Sequence, residues 1–172
     1  MFQDEGRFGR ISSPRRCWAL GGIRPNVPSQ IVREYTYAYA ALSPHDGIMD
    51  SLVLPQVNAS AMSLFLREVS TRHPEEFILM VMDGAGWHKA EKLTVPTNMH
   101  PVFLPPYSPE LHPVEHIWES IRENWFGNEA FESMDGVEDQ WVKALFALEN
   151  DPAMVRGLTA FPSIVSINMN AT

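Results

Sequence analysis

The first third of the chain most constrains the fold, because strand-like runs follow one another there with connections too short for a crossover helix. "MFQDEGRFGRI", "RRCWALGG", "EYTYAYAAL" and "GIMDSLVLP" are rich in aromatic and β-branched residues and are separated by Gly, Pro and Asp turn signals such as "SPHDG". Strands joined this closely pair antiparallel, as a meander or a set of hairpins. Within the first run Phe2, Asp4 and Phe8 share one face by period two, which turns Asp4 toward the side where Phe2 packs.

The periodicity then changes. Asn58 is placed to cap a helix over "ASAMSLFLREVSTRH", whose Met62, Phe65, Leu66 and Val69 recur at helical spacing and form an inward face. After Pro74, "FILMVMD" reads as a fully apolar strand ending at Asp83, "GWHKAEKL" as a short helix and "HPVFL" as another buried strand. Strand, helix, strand in this order implies parallel pairing with helices over the sheet. The expected fold class is therefore α/β, a mixed sheet with antiparallel first strands and helices packed on it.

In "LPPYSPELHPVEHIW" four prolines, at 105, 106, 109 and 113, brace the approach to a further helix. Pro113 fits its first turn, where the missing N–H is an orphan in any case, and the helix runs to Gly127 with Val114, Ile117, Trp118, Ile121 and Trp125 as its buried stripe. Glu115 falls beside that stripe, at the rim of the core. Another helix is expected over residues 136 to 149, and the 172 residues read as a single domain without repeats or linkers.

Composition narrows the setting. Hydrophobic residues at 45% and charged residues at 20% suit a folded chain. The one cysteine, Cys17, has no internal disulfide partner; it reads as a small buried apolar side chain in a strand and suits a reducing compartment. No apolar run reaches the roughly 18 to 20 residues of a membrane span, and "MFQDEGRFGR" has no apolar signal region, so a cytoplasmic location without membrane contact is expected. A formal charge of −8 argues against a freestanding nucleic-acid binder. That charge is uneven: residues 1 to 35 hold six arginines against three acids, a local +3 that leaves −11 for the remainder. Arg7, Arg10, Arg15 and Arg16 are the candidate phosphate contacts on this basic edge.

Three acids stand out by position: Asp4 in the first strand, Asp83 at the end of the apolar strand and Glu115 at the helix start. Singly, each has an ordinary explanation in a turn, a helix dipole or a solvated strand face. Were they to converge at about 4 Å, each pair would repel by roughly 4 kcal/mol at an effective dielectric of 20, which a marginally stable fold cannot carry uncompensated. Mg²⁺ or Mn²⁺ supplies the compensation, and a pair of such ions is the apparatus of in-line phosphoryl displacement.

The combination "FQDEGRFGR", "VMDGAGWHKAEKL" and "FLPPYSPELHPVEHIWESIRENWF" resembles the DDE transposases of the insertion sequence 630 family, bacterial relatives of the mariner-like transposases. The resemblance extends from Asp4 to "LTAFPSIV", and the proline-rich block is its most specific part. It implies a ribonuclease-H-like fold and a metal-dependent DNA strand cutter and joiner active in DNA transposition. By motif, Asp4, Asp83 and Glu115 match the family's three catalytic, metal-binding acids, with thirty-one residues between the last two. Asp4 would bridge two Mg²⁺ or Mn²⁺ ions while Asp83 and Glu115 each hold one; water would cut the DNA and the freed 3′-hydroxyl would attack target DNA. Tyr107, Ser108 and Pro109 would be scaffold, and His88 matches a recurrent histidine near the site. The implied partners are DNA, both element ends and target, and a second copy in a homodimer on paired ends. Gly84 and His112 stand where the family often has Asn. Such transposases also carry an N-terminal helix-turn-helix region with no counterpart in this sequence, so a catalytic half or fragment is expected.

Two alternatives accompany that reading. One is a remnant that keeps the fold without the chemistry. The other is a zinc metalloprotease, because "HPVEH" fits H-x-x-E-H with His112 and His116 as ligands and Glu115 as base; Pro113 at the helix start argues against it by leaving His112 outside the helix.

Overall fold

The computed structural model describes residues 1–106, 108 and 111–166; Tyr107 and Pro109, expected as scaffold, lie outside the described residues. Three strands open the chain, β1 (Phe2–Ile11), β2 (Ile31–Leu42) and β3 (Met49–Leu54), followed by α1 (Ala59–Arg72), β4 (Ile78–Met82) and β5 (Met99–Phe103). Four helices follow among the described residues: α2 (Val114–Asn124), α3 (Met134–Glu149), α4 (Pro152–Thr159) and the short α5 (Pro162–Val165). The sheet order is β3-β2-β1-β4-β5. β1–β2 and β2–β3 are antiparallel, whereas β1–β4 and β4–β5 are parallel. This is the expected mixed sheet. Among the described residues no helix is long and apolar enough to cross a membrane.

Strand alternation divides the core into two layers. On one face Phe8, Ala38, Ala40 and Leu42 meet Trp118 and Trp141 of α2 and α3. On the other, Tyr39 and Ala41 with Met80 and Met82 meet the inward face of α1, where Met62, Phe65, Leu66 and Val69 are fully buried. Asn58 caps α1 as expected, its side-chain oxygen accepting the Ala61 N–H at 2.9 Å. Asn58→Ala is expected to cost about 1 kcal/mol, read as a lowered urea midpoint with an unchanged slope.

Several expectations are corrected. "RRCWALGG" is not a strand: residues 12–30 form an irregular arm in which Cys17 is exposed and Trp18 stands fully in solvent. Pro14, Pro25 and Pro28 remove ladder donors and Gly21–Gly22 turn the chain, so the apolar residues there find no partner strand. The neck of the arm is closed by Ser12 and Gln30, through Ser12 N–H to the Gln30 carbonyl (3.0 Å) and Gln30 N–H to the Ser12 hydroxyl (2.6 Å). "GWHKAEKL" supplies only a single 3₁₀ turn, Gly86–Lys89. β4 and β5 are buried on one face only. Leu79 and Val102 are exposed because α2, α3 and α4 sit over β1–β3, leaving that face of β4–β5 without a helix among the described residues.

Candidate active site

The sheet register brings two of the three acids level. Phe2 of β1 pairs with Val81 of β4 in parallel, so two residues further along each strand Asp4 and Asp83 lie side by side. Adjacent strands are about 4.8 Å apart. Both residues share the parity of Phe2 and Val81, which points them to the face covered by α2.

Helix α2 brings the third acid. It can lie close on β1 because Gly6 has no side chain, a Cβ there falling 2.9 Å from the Trp118 ring. The buried Trp118 then reaches Asp4, its indole N–H donating to Oδ2 at 2.9 Å. Glu115 lies three residues, just under one full turn, before Trp118 and so on the same side of the helix. Pro113 occupies the cap position rather than the first helical residue, and Glu115 belongs to the first turn. The result is one cleft of about 420 Å³ lined by Asp4, Asp83, Glu115, His112, Ser108 and Pro106, among others.

Its electrostatics follow from crowded carboxylates. Burial, then the charges of Glu115 and Glu5, push Asp4 up to about 7, against the weaker opposing pull of the Trp118 hydrogen bond. An acid held this way keeps its proton unless a cation replaces it. His112 is buried in the same cleft, and neither ring nitrogen makes a hydrogen bond of good geometry, although the Gln3 carbonyl is near enough to favour protonation. Burial nonetheless dominates and lowers its pKa, despite Glu115 and Asp83 nearby.

His88, expected near the site, touches it directly. Its buried ring hydrogen-bonds through Nδ1 to the Asp83 carbonyl (3.1 Å), with Nδ1 also 2.7 Å from Asp83 Oδ1, and through Nε2 to Glu5 Oε1 (3.0 Å). Burial alone would lower its pKa, but the bonds and charges of Glu5 and Asp83 outweigh that and raise it. Sequence reasoning passed over Glu5 and the polar role of Trp118. Alternation assigns Glu5 to the opposite face from Asp4, and no sequence signal says that a loop histidine comes back to meet it there.

The arginines divide. Arg10 is engaged within the fold, its Nε donating to the Phe131 carbonyl (3.0 Å) and its guanidinium pairing with Glu34 (2.8 Å). Arg15 lies 3.9 Å from Glu123. Arg7 stacks on the Tyr35 ring at 4.8 Å and lines a neighbouring depression of about 570 Å³ that shares Asp4 and Asp83 with the cleft. Arg16 is exposed on the arm.

The histidine pair required by the zinc reading is split. His112 lines the cleft, whereas His116 packs against Phe161 with ring centroids 4.7 Å apart, and no cluster of three metal-ligating side chains in coordination geometry occurs among the described residues. The acids nevertheless suit a divalent ion by their chemistry: three carboxylates face one cleft, and Asp4 bears the cost of that crowding as a displaced pKa.

Residues 1–138 match the family described as DDE superfamily endonuclease. The chain is 36% identical over 119 residues to the uncharacterized protein y4pE/y4sA of Sinorhizobium fredii, covering 69% of this chain and 88% of that one. Its fold is similar to the Mos1 mariner paired-end complex with Mn (TM-score 0.64, 16% identity, 96% of this chain and 54% of that chain). It is also similar to the catalytic domain of Mos1 mariner transposase (TM-score 0.55, 12% identity, 96% and 80%). The chain thus spans about half the length of the transposase chain in the paired-end complex. These likenesses, with the strand order above, make the fold ribonuclease-H-like.

Proposed function

We propose that this chain, which belongs to the DDE superfamily of endonucleases, cuts and rejoins DNA strands as the catalytic part of a transposase, with Asp4, Asp83 and Glu115 holding divalent ions. The observation that carries the reading is that all three acids, 79 and 32 positions apart along the chain, line one cleft. When bound, Mg²⁺ or Mn²⁺ supplies the charge that stabilises the attacking and leaving oxygens of a phosphodiester displacement. The protein's own part is to hold the carboxylates. Trp118 fixes Asp4, the Ala85 N–H fixes Asp83 Oδ1 at 2.9 Å, and the first turn of α2 fixes Glu115.

DNA approaches along the basic edge. Arg7, Arg15 and Arg16 contact phosphates, giving position rather than sequence readout. Arg10 is proposed to act indirectly, by bracing β1 against the segment around Phe131. Element ends and target are the substrates, water the first nucleophile and a 3′-hydroxyl the second, with a homodimer assembled on paired ends.

The test is Mn²⁺ titration by calorimetry together with nicking of a DNA duplex carrying candidate ends. Asp83→Asn is expected to weaken the Mn²⁺ isotherm and Glu115→Ala to abolish nicking. Equal nicking by wild type and Glu115→Ala overturns the assignment.

A further inference from the structure

Glu5 is not one of the three acids lining the cleft, yet its side chain is only 7% exposed. β1 explains the placement: consecutive residues point to opposite faces, so Asp4 enters the cleft under α2 while Glu5 enters the layer beneath Trp87 and His88. A carboxylate buried to this extent is kept only where donors surround it. Glu5 Oε1 accepts from His88 Nε2 (3.0 Å), Trp87 Nε1 (3.3 Å) and Gln3 Nε2 (3.3 Å). His88, whose side chain is fully buried, faces oxygens from both of its nitrogens: Glu5 on one side, the carbonyl and Oδ1 of Asp83 on the other.

Glu5 and His88 therefore form a chain of contacts from the centre of the sheet to the Asp83 carboxylate. That carboxylate needs such support. Asp83 lies just beyond the last residue of β4, and its side chain is 51% exposed, so the strand ladder does not fix it. The two contacts that do, from the Ala85 N–H and His88 Nδ1, both fall on Oδ1, and this leaves Oδ2 for a ligand.

We propose that Glu5 and His88 are a positioning pair, in which buried Glu5 orients His88 and His88 fixes the Asp83 carboxylate for the metal ion it holds. The inference rests on the divalent-ion reading of the cleft. Partners one step removed from a metal ligand set its orientation and basicity, and their loss costs about 10- to 100-fold in metal affinity. Glu5 also places its charge near Asp4, but it reaches the Asp83 carboxylate through His88, so at the ion Asp83 holds the two residues share one effect.

Mn²⁺ titrations of wild type, Glu5→Gln, His88→Asn and the double variant, with thermal midpoints recorded alongside, test the pair. Each single variant is expected to weaken one of two binding events by about 10- to 100-fold and leave the other in place. The double variant is expected to be no weaker than His88→Asn alone, the non-additivity of residues acting in series. Wild-type affinities for both ions in the two single variants overturn the pair. So do losses at both sites that add in the double variant, since a general loosening of the fold does that. A wild-type chain that takes up no Mn²⁺ overturns the metal reading of the cleft, and this inference with it.

Discussion

In EDTA, the wild-type chain is expected to lose stability as pH rises from about 4 to about 7, and Asp4→Asn to lack that loss. Folding raises Asp4 from 3.8 to about 7. Below pH ~4 the carboxyl is protonated in both states and its full contribution is present. Between the two values the unfolded chain releases the proton while the folded chain keeps it, so stability falls until the folded carboxyl ionises near pH ~7. At 1.36 kcal/mol per pKa unit the span corresponds to about 4 kcal/mol, discounted to roughly 3 because the side chain retains some contact with water. Other carboxylates titrate in the same range, so the informative quantity is the difference between wild type and Asp4→Asn. It is expected near zero at pH 4 and to favour the variant at pH 8. The same substitution is expected to reduce Mn²⁺-dependent nicking to background. A residue that destabilises the metal-free fold yet is required for cleavage is a ligand site; pH profiles of the two proteins that run parallel would remove the argument. Added Mn²⁺ should restore wild type at pH 8 and leave the variant unmoved.

The second large effect concerns Trp118, which joins packing to chemistry. It is 1% exposed, lies edge-on to Trp141 at 5.8 Å and covers Gly6. Trp118→Ala is expected to cost about 3–5 kcal/mol, measured by urea denaturation. Trp118→Phe keeps most of the ring but deletes the N–H that donates to Asp4. That bond favours the charged carboxylate, so its loss should strengthen proton competition and shift Mn²⁺ uptake to higher pH. Uptake by Trp118→Phe at the wild-type pH would show that the indole only fills space.

What the sequence made legible was whatever depends on local period. Phe2, Asp4 and Phe8 share a face because strands alternate, and Asn58 caps α1 because an orphan N–H needs an acceptor. The three acids became a candidate site only through the family resemblance, since spacing says nothing about which strands neighbour which. Residues 17–20 misled because aromatic and apolar side chains resemble a strand until a partner is sought, and the nearby prolines refuse one. Glu5 stayed hidden for the opposite reason. Its placement was readable, but its worth depends on a histidine 83 positions away.

The neck between Ser12 and Gln30 closes the arm at its base, so the ends of β1 and β2 stay joined whatever the length of chain between them. Doubling the length of such a tethered excursion costs only about 0.6 kcal/mol of closure entropy. An insertion in this appendage can therefore be lengthened or exchanged at small cost while Asp4 on β1 and Asp83 just beyond β4 keep their places.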